Sequence, residues 1–262
     1  MNLSGKVAIV TGGSRGIGLG IASRFSSQGA KVAICSNDTE SLAAAEVAIK
    51  GGSDVLGVVA DVSRAGDMKD AVAATVSQFG GIDCLVNSAG IQRYGTVVDT
   101  PEATWDEVLD VNVKGVFLAS KFAVPEIAKR GGGSIINIAS VQAYASQSNV
   151  AAYTASKGAI VAMTRAMALD HADQFIRVNA ICPASVDTPM LRWAADLWKG
   201  GNTAEETIAA WGVGHPVGRV CTVEEVAALA NFLASDLCEF MTGADLKVDG
   251  GVLSKLGIIL PE

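Results

Sequence analysis

The sequence is poor in aromatic, charged and metal-ligating residues. Of its 262 residues, 5% are aromatic, 18% are charged and only two are histidines. These two, His171 and His215, lie far apart, and no histidine–cysteine cluster suggests a zinc site. The five cysteines are odd in number, scattered and without a CxxC pair. We therefore expect reduced thiols and a cytoplasmic location.

A basic surplus and long apolar runs are also missing. The net charge is −7, so we expect neither nucleic-acid nor membrane partners, because both types of surface attract basic proteins. No apolar run approaches the ~20 residues of a membrane span, and the first residues do not resemble a signal peptide. What is present is a chain that is 50% hydrophobic and contains 29 glycines, typical of a well-buried α/β domain.

Short apolar runs alternate with longer segments of helical pattern. The runs are apolar throughout, as expected for parallel strands that are buried on both faces. Their alternation with helices predicts right-handed βαβ units, and therefore a doubly wound parallel sheet in a single α/β domain over residues 1–262. Strands are predicted at residues 6–11, 31–35, 54–60, 82–86, 134–139 and 175–180, and helices at 16–28, 39–50, 65–79, 105–129 and 151–170.

A glycine-rich turn follows the first predicted strand. Its sequence, TGGSRGIG, places Gly12, Gly16 and Gly18 where the strand turns into a helix. Glycine lets the backbone turn sharply and approach a pyrophosphate, whose charge suits a helix N-terminus. The spacing is G-x-x-x-G-x-G and not the common G-x-G-x-x-G. The position of the turn favours a nucleotide site over a merely tight turn.

Tyr153 and Lys157 lie four residues apart on the predicted helix 151–170 and therefore share a face. A nearby cation lowers the pKa of a phenol, which brings it closer to the range useful for general acid/base catalysis. From the spacing alone, a chance pair on an exposed helix face is the alternative. Ser140 follows the apolar run 135–139, at the strand end where parallel α/β sheets bind ligands.

Further motifs follow the predicted strands in order. They are Asp61-Val62 after the third strand, Asn87-Ser88-Ala89-Gly90 after the fourth, Asn112, the loop with Pro183 and Thr188, and Asp249-Gly250-Gly251 at the end of the last strand. Together with the glycine turn, Ser140, Tyr153 and Lys157, they resemble the short-chain dehydrogenase/reductase family, in its single-domain branch, nearly from end to end. Two positions depart mildly from the family pattern: Ser88 replaces the usual Asn and Ala184 the usual Gly.

The resemblance implies a Rossmann-type fold and hydride transfer between a nicotinamide and a secondary alcohol or carbonyl. It implies that Tyr153 exchanges the proton and that Lys157 lowers its pKa and binds the nicotinamide ribose. Ser140 would hydrogen-bond the substrate oxygen, and Asn112 would hold a proton-relay water. The implied cofactor residues are Gly12, Ser14, Arg15, Gly16, Ile17, Gly18, Ser36, Asn37, Asp61, Val62, Asn87, Ala89, Gly90, Tyr153, Lys157, Pro183, Val186 and Thr188.

The choice between NADP and NAD depends on the end of the second strand. A carboxylate there would bind the ribose 2′-OH and repel a 2′-phosphate, but Ser36 is neutral. Arg15 supplies a cation near the expected 2′-phosphate, so Arg15, Ser36 and Asn37 predict NADP(H), with NAD(H) tolerated. Asp38 is the counter-indication, because it could bind the ribose. Its alternative role is to cap the helix 39–50.

The region of about 188–215 is predicted to be a helical lid. It holds three of the four tryptophans, interrupted by a glycine-containing break at 199–202 that suits a moving flap. Amides in the pocket favour a hydroxylated substrate, a sugar or polyol, since an unsatisfied amide disfavours a hydrocarbon. Glutamines that face water at the rim are the alternative. The candidate substrate residues are Gln92, Gln142, Gln147, Ala184 and Trp193.

Two other functions stay open. A 3-oxoacyl-thioester (acyl-carrier-protein) reductase uses the same four catalytic residues, but the lid offers a carrier only Arg192, Lys199 and Arg219. A non-catalytic nucleotide sensor would typically have lost Tyr153 or Lys157.

The helices 105–129 and 151–170 correspond to the dimer face of relatives, which predicts a homotetramer. A row of small residues supports close packing of the second helix: Ala155, Ala159, Ala162 and Ala166.

Overall fold

Seven parallel strands form one sheet in the order β3-β2-β1-β4-β5-β6-β7 in the computed structural model. The structure describes residues 1–49 and 54–256. The order reverses between β1 and β4, which is the switch point where open α/β sheets bind ligands. The strands are β1 (Val7–Thr11), β2 (Lys31–Ser36), β3 (Val55–Val59), β4 (Cys84–Asn87), β5 (Gly133–Ile138), β6 (Ile176–Pro183) and β7 (Asp245–Val248).

Helices cover both faces of this sheet, which confirms the predicted doubly wound, Rossmann-type architecture. Between α4 and α5, residues Asp110–Lys114 form a π-helical turn. The segment predicted as one helix from 105 therefore begins at Glu102 and is locally widened. The helices are α1 (Gly16–Ser27), α2 (Thr39–Ile49), α3 (Ala65–Phe79), α4 (Glu102–Leu109), α5 (Gly115–Lys129), α6 (Ala151–Asp170), α7 (Pro189–Trp198), α8 (Ala204–Val213) and α9 (Val223–Ala234).

An apolar core lies on each side of the sheet. One contains Phe25 and Ile34, and the other contains Ile9, Leu85 and Ile135, all fully buried. Full burial of such side chains contributes about 1.5–3 kcal/mol each. The continuous burial of β1 and β4 agrees with the prediction of parallel strands covered on both faces.

Several predicted boundaries move by a few residues. Phe175 has a φ of 57° and ends a short 3-10 turn, so β6 begins one residue later. It also continues to Pro183, because β7 pairs with it over that length. Lys50, the predicted end of the second helix, lies outside the described residues. β7 lies directly before Asp249, where the resemblance placed the end of the last strand. No helix was predicted at α9, although a capping box at Thr222 and Glu225 marks its start.

The carboxyl ends of the strands face one edge of the sheet and carry the predicted motifs. The glycine turn follows β1, Ser36 ends β2, and Ser88-Ala89-Gly90 follows β4. Ser140 comes two residues after β5, and Pro183 ends β6. The part of the chain that the structure describes contains no helix long and apolar enough to cross a bilayer.

Candidate active site

A cleft of about 1220 Å³ opens at the carboxyl edge of the sheet. It collects most of the residues that the sequence predicted for cofactor, catalysis and substrate. Three predicted residues, Asn87, Asn112 and Trp193, are absent from its lining. The predicted residues that do line it are Gly12, Ser14, Arg15, Gly16, Ile17, Gly18, Ser36, Asn37, Asp61, Val62, Ala89, Gly90, Gln92, Ser140, Gln142, Gln147, Tyr153, Lys157, Pro183, Ala184, Val186 and Thr188.

The glycine turn leaves no room for side chains. Gly12 has a φ of +64°, and a Cβ on it would lie 2.7 Å from Cα of Ala89. A Cβ on Gly18 would lie 2.2 Å from the carbonyl oxygen of Gly12, closer than any real contact. The turn therefore presents bare backbone and the N-terminus of α1 to the cleft, an arrangement that fits the pyrophosphate of a dinucleotide.

Three serine hydroxyls meet beside this turn, at the end of β2. The Ser14 hydroxyl donates to Oγ of Ser36 at 2.9 Å, and the Ser41 hydroxyl donates to Oγ of Ser14 at 3.1 Å. The backbone N–H of Asp38 also donates to Oγ of Ser36 at 3.1 Å. Ser36 is therefore part of a neutral hydroxyl cluster where many dinucleotide sites place a carboxylate.

Asp38 caps α2, as its alternative role predicted, and also pairs with Arg15. Its Oδ1 accepts from the N–H of Ser41 at 2.9 Å, which caps α2, and its Oδ2 pairs with the guanidinium of Arg15 at 2.5 Å. The Ser41 N–H, followed by Arg15, lowers the pKa of the Asp38 carboxyl. An ionised Asp38 lies in the cleft lining, and Arg15 is already paired.

The Asn87 side chain points into the sheet layer and away from the cleft. Its Nδ2 donates to Oδ1 of Asn137 at 2.8 Å and to Oγ of Ser120 at 3.3 Å. It thereby joins β4 to β5 and to α5. A direct cofactor contact through its side chain does not fit this position. The neighbouring backbone is held instead by Thr11, whose Oγ1 accepts from the N–H of Ala89 at 3.3 Å.

Asp61 and Val62 line the cleft after β3, as predicted. The Asp61 carboxylate caps its own turn by accepting from the Ser63 backbone at 2.9 Å and from the Ser63 hydroxyl at 2.7 Å. These bonds fix the carboxylate at the edge of the cleft.

Ser140, Tyr153 and Lys157 line the cleft near the end of β5. In the sheet, β1 and β4 separate this strand from β2, where the serine cluster lies. The Ser140 Oγ accepts from the N–H of Gln142 at 3.1 Å and donates to the carbonyl of Pro183 at 3.4 Å. Lys157 Nζ donates to the carbonyl of Ile138 at 2.8 Å and lies 5.4 Å from the ring centroid of Tyr153. All three side chains are buried, so α6 and β5 hold them rigidly.

Burial governs the titration of this pair. It raises the pKa of Tyr153 to about 12, against a lowering by a hydrogen bond from Ser140. It lowers the pKa of Lys157 to about 8. The sequence had suggested that the Lys157 cation lowers the Tyr153 pKa. The net shift of the Tyr153 pKa is upward, because loss of solvent disfavours the phenolate; the lowering by Lys157 stays a prediction.

Asn112 lies behind the cleft, in the π-helical turn. Its Oδ1 accepts from the N–H of Ile91 at 2.8 Å, and its Nδ2 donates to the carbonyl of Ile91 at 2.9 Å and to Oγ of Ser156 at 3.0 Å. The amide thus ties the loop after β4 to α6. A π turn inside an α-helix often accompanies a functional site.

The candidate substrate residues are placed unequally. Gln92 and Ala184 line the cleft. Gln142 also lines it, but its Oε1 already accepts from the Thr154 hydroxyl at 3.2 Å. Gln147 lines the cleft from an exposed loop. Trp193 lies outside the lining and packs on Tyr94, with ring centroids 5.7 Å apart.

Four lining residues near the lid were not among the predicted substrate residues: Tyr94, Trp198, Trp211 and His215. Only their nearness in sequence to Gln92 and to the tryptophan-rich segment could have indicated them. His215 has a fixed tautomer, because its Nδ1 lies 3.0 Å from the Trp211 carbonyl, which can only accept. When His215 is neutral, its Nε2 is therefore a hydrogen-bond acceptor.

The cations near the lid are paired with carboxylates. Arg93 makes a two-point contact with Glu107, at 3.1 and 2.7 Å. The three cations considered as contacts for a carrier protein are also in ion pairs: Arg192 pairs with Asp187, Lys199 with Asp196, and Arg219 with Glu225.

Comparison with known proteins gives matches along nearly the whole chain. The family model described as enoyl-(acyl carrier protein) reductase matches residues 12–253. The 2-(S)-hydroxypropyl-CoM dehydrogenase 3 of Xanthobacter autotrophicus is 40% identical over 252 residues, covering 95% of this chain and 97% of the relative. Dehydrogenase/reductase SDR family member 4 of Bos taurus is 37% identical, covering 97% of this chain and 89% of the relative.

A solved structure matches equally well. The ligand-free aldohexose dehydrogenase of Thermoplasma acidophilum superposes with a TM-score of 0.91 at 39% identity, covering 99% of this chain and 98% of that chain.

We expect Gly18→Ala to weaken the binding of NADH and NADPH at least tenfold, because its methyl group would collide with the Gly12 carbonyl and deform the turn. Titration of cofactor fluorescence measures the effect. Gly66→Ala is the matched control, since Gly66 lies in the first turn of α3 with open space around its Cβ position. Equal cofactor affinity in wild type and Gly18→Ala would contradict the prediction.

Proposed function

We propose that this chain, which belongs to the short-chain dehydrogenase/reductase family and is an NAD(P)-dependent oxidoreductase acting on CH–OH groups, interconverts a sugar or polyol and the corresponding carbonyl compound. The observation that carries the proposal is the convergence of Ser140, Tyr153 and Lys157 in the same cleft as the glycine turn. That cleft therefore combines a dinucleotide cradle with a proton donor.

The cofactor would lie along the switch point. The glycine turn fits its pyrophosphate, the serine cluster with Asn37 its adenine ribose, and Asp61 with Val62 its adenine. Ala89, Gly90, Pro183, Val186 and Thr188 line the cleft towards Tyr153 and would hold the nicotinamide half. When bound, the nicotinamide supplies or accepts the hydride at the substrate carbon.

Tyr153 would exchange the proton. At neutral pH a phenol with a pKa of about 12 carries its proton, so it is ready to donate to a carbonyl oxygen. Ser140 would donate a second hydrogen bond to that oxygen and stabilise its developing charge. Lys157 is held by Ile138 beside the phenol and would stabilise the phenolate after transfer. Asn112 would position α6 through Ser156, and its relay role stays a prediction.

The lining residues favour a neutral, hydroxylated substrate. Glutamines, a histidine acceptor and the faces of Tyr94, Trp198 and Trp211 offer hydrogen bonds and flat apolar contacts together. Each charged group of Arg93, Arg192 and Arg219 already has a carboxylate partner, so an anionic substrate gains little there. The similarity to the aldohexose dehydrogenase of Thermoplasma acidophilum supports the sugar proposal.

A 3-oxoacyl-thioester (acyl-carrier-protein) reductase is the second candidate, and the acyl carrier protein in the name of the matched family model supports it. It would require lid cations that are free to meet an acidic carrier. Those of the described lid are engaged in ion pairs, so we rank this function second. A non-catalytic nucleotide sensor is a remote third, because Tyr153 and Lys157 are both present.

The helices α7 and α8 would form the substrate lid, over about 188–215. Residues 199–202 separate them, and Gly200 there has a φ of +58°. Such a break lets a helical pair move over a cleft.

The five cysteines are unpaired, which supports the proposed cytoplasmic location.

We expect the highest kcat/KM with a sugar or polyol when sugars, polyols, simple ketones and acyl thioesters are compared. The change in NAD(P)H absorbance measures the rate with each compound. Tyr153→Phe should lower kcat by about 10²- to 10⁴-fold, the contribution of a general acid, and should leave cofactor affinity within twofold. A best substrate among acyl thioesters would favour the second candidate. If wild type reduces no carbonyl while it binds cofactor, the sensor function gains.

For the cofactor, we propose NADP(H) as the preferred form, with NAD(H) tolerated. The Arg15–Asp38 pair is half-exposed, and such pairs contribute only ~0–1 kcal/mol, so Arg15 can turn to a 2′-phosphate at little cost. Asp38 opposes that phosphate by its charge.

Arg15→Gln should therefore lower kcat/KM for NADPH about tenfold and change that for NADH less than twofold. Asp38→Asn should raise the NADPH/NADH ratio, because it removes the opposing charge. Steady-state kinetics with both cofactors measure these ratios, and each variant's NADH value is its internal control. A wild type with a large NAD preference would refute the proposed preference.

We further propose a homotetramer built on α5 and α6. Phe117 on α5 and Leu169 on α6 are 49% and 80% exposed, and Ala155, Ala162 and Ala166 form an outward row of small residues. Light scattering should give about four times the 26.8 kDa of one chain, and Phe117→Asp should reduce that mass. A monomer at micromolar concentration would rule the tetramer out.

A further inference from the structure

The backbone position of Tyr94 is fixed by contacts of the residues directly before and after it. Its predecessor, Arg93, is anchored to α4 by the two-point contact with Glu107. Its successor, Gly95, donates from its N–H to the carbonyl of Asn149 at 2.7 Å and forms a parallel bridge with Val150. Since α6 begins one residue later, Tyr94 is held against the start of the helix that carries Tyr153.

The ring of Tyr94 is fixed as well. It packs on Trp193 at 5.7 Å and edge-on against Trp198 at 5.3 Å between ring centroids. Both tryptophans belong to α7. Aromatic pairs at these distances have a preferred geometry, so the ring has little freedom to turn while α7 is in place.

The phenol group of Tyr94 is available to a ligand. Tyr94 lines the cleft, and its hydroxyl makes no hydrogen bond to any residue in the ranges 1–49 and 54–256. It also lies towards the reacting end, because the neighbouring Gly95 bridges to Val150, three residues before Tyr153. The cleft thus contains a second phenol, without a hydrogen-bond partner among the described residues, at the end where α6 begins.

We propose that Tyr94 is a specificity residue whose hydroxyl hydrogen-bonds a substrate hydroxyl on the carbon next to the reacting carbon. The substrate class is then narrower than sugar or polyol: a vicinal diol in one direction and an α-hydroxy carbonyl compound in the other. This inference rests on the proposed function, in which Tyr153 and Ser140 hold the reacting oxygen. A simple ketone would leave the Tyr94 hydroxyl without a partner in a half-buried site, which disfavours it.

The test compares 2-hydroxycyclohexanone with cyclohexanone, which differ only in the adjacent hydroxyl. Tyr94→Phe keeps the ring that contacts Trp193 and removes the hydroxyl. We expect kcat/KM for the hydroxyketone to fall five- to tenfold, as for one uncharged hydrogen bond, and that for cyclohexanone to change less than twofold. Tyr144→Phe is the matched control, because Tyr144 does not line the cleft, and it should alter neither value.

Other outcomes overturn the inference. An equal loss with both ketones, accompanied by a shifted pH profile of kcat, would mean that Tyr94 acts through Tyr153 and not on the substrate. An unchanged kcat/KM for the hydroxyketone would remove its role altogether. If wild type reduces neither ketone nor any sugar of the panel, the proposed function fails and this inference fails with it. If wild type reduces both ketones and Tyr94→Phe changes kcat/KM for both by the same factor, this inference is refuted while the proposed function stands.

Discussion

Desolvation of a phenol and an ammonium in one cleft is the constraint on which this site depends. Tyr153 and Lys157 are both buried, and each is driven towards its neutral form. An ammonium that loses water needs a fixed acceptor, and the Ile138 carbonyl at the end of β5 supplies one. The end of one strand of the sheet therefore sets the position of the Lys157 ammonium beside the Tyr153 ring.

Local sequence motifs predicted much of the fold and of the candidate site. They did not predict side-chain contacts between residues that lie far apart in the sequence. The apolar runs, the glycine turn and the four-residue spacing of Tyr153 and Lys157 depend on short stretches of chain, and each lies where it was expected. The inward direction of Asn87 depends on Asn137, fifty residues away. The Arg15–Asp38 pair and the contacts of Tyr94 with α7 likewise arise only when separate elements pack together.

Electrostatics in the cleft are divided between its two ends. At the glycine turn, backbone dipoles and Arg15 suit an anionic cofactor. Around the lid, carboxylates neutralise the neighbouring cations, and hydroxyl, amide and aromatic groups remain. Cations are paired at both ends, since Arg15 contacts Asp38, but only the glycine turn adds bare backbone N–H groups at a helix N-terminus. This division is why an alcohol rather than an acid is the proposed substrate.

The π-helical turn between α4 and α5 also constrains how many residues this segment can have. One additional residue in a helix rotates all that follows by about 100°. Here that rotation lets α4 and α5 bury different stripes of side chains while Asn112 reaches back to the loop after β4. A one-residue deletion in this segment would restore a regular helix and turn either the Asn112 amide or the apolar face of α5 in a wrong direction. The number of residues in this segment therefore matters to the site as much as their identity.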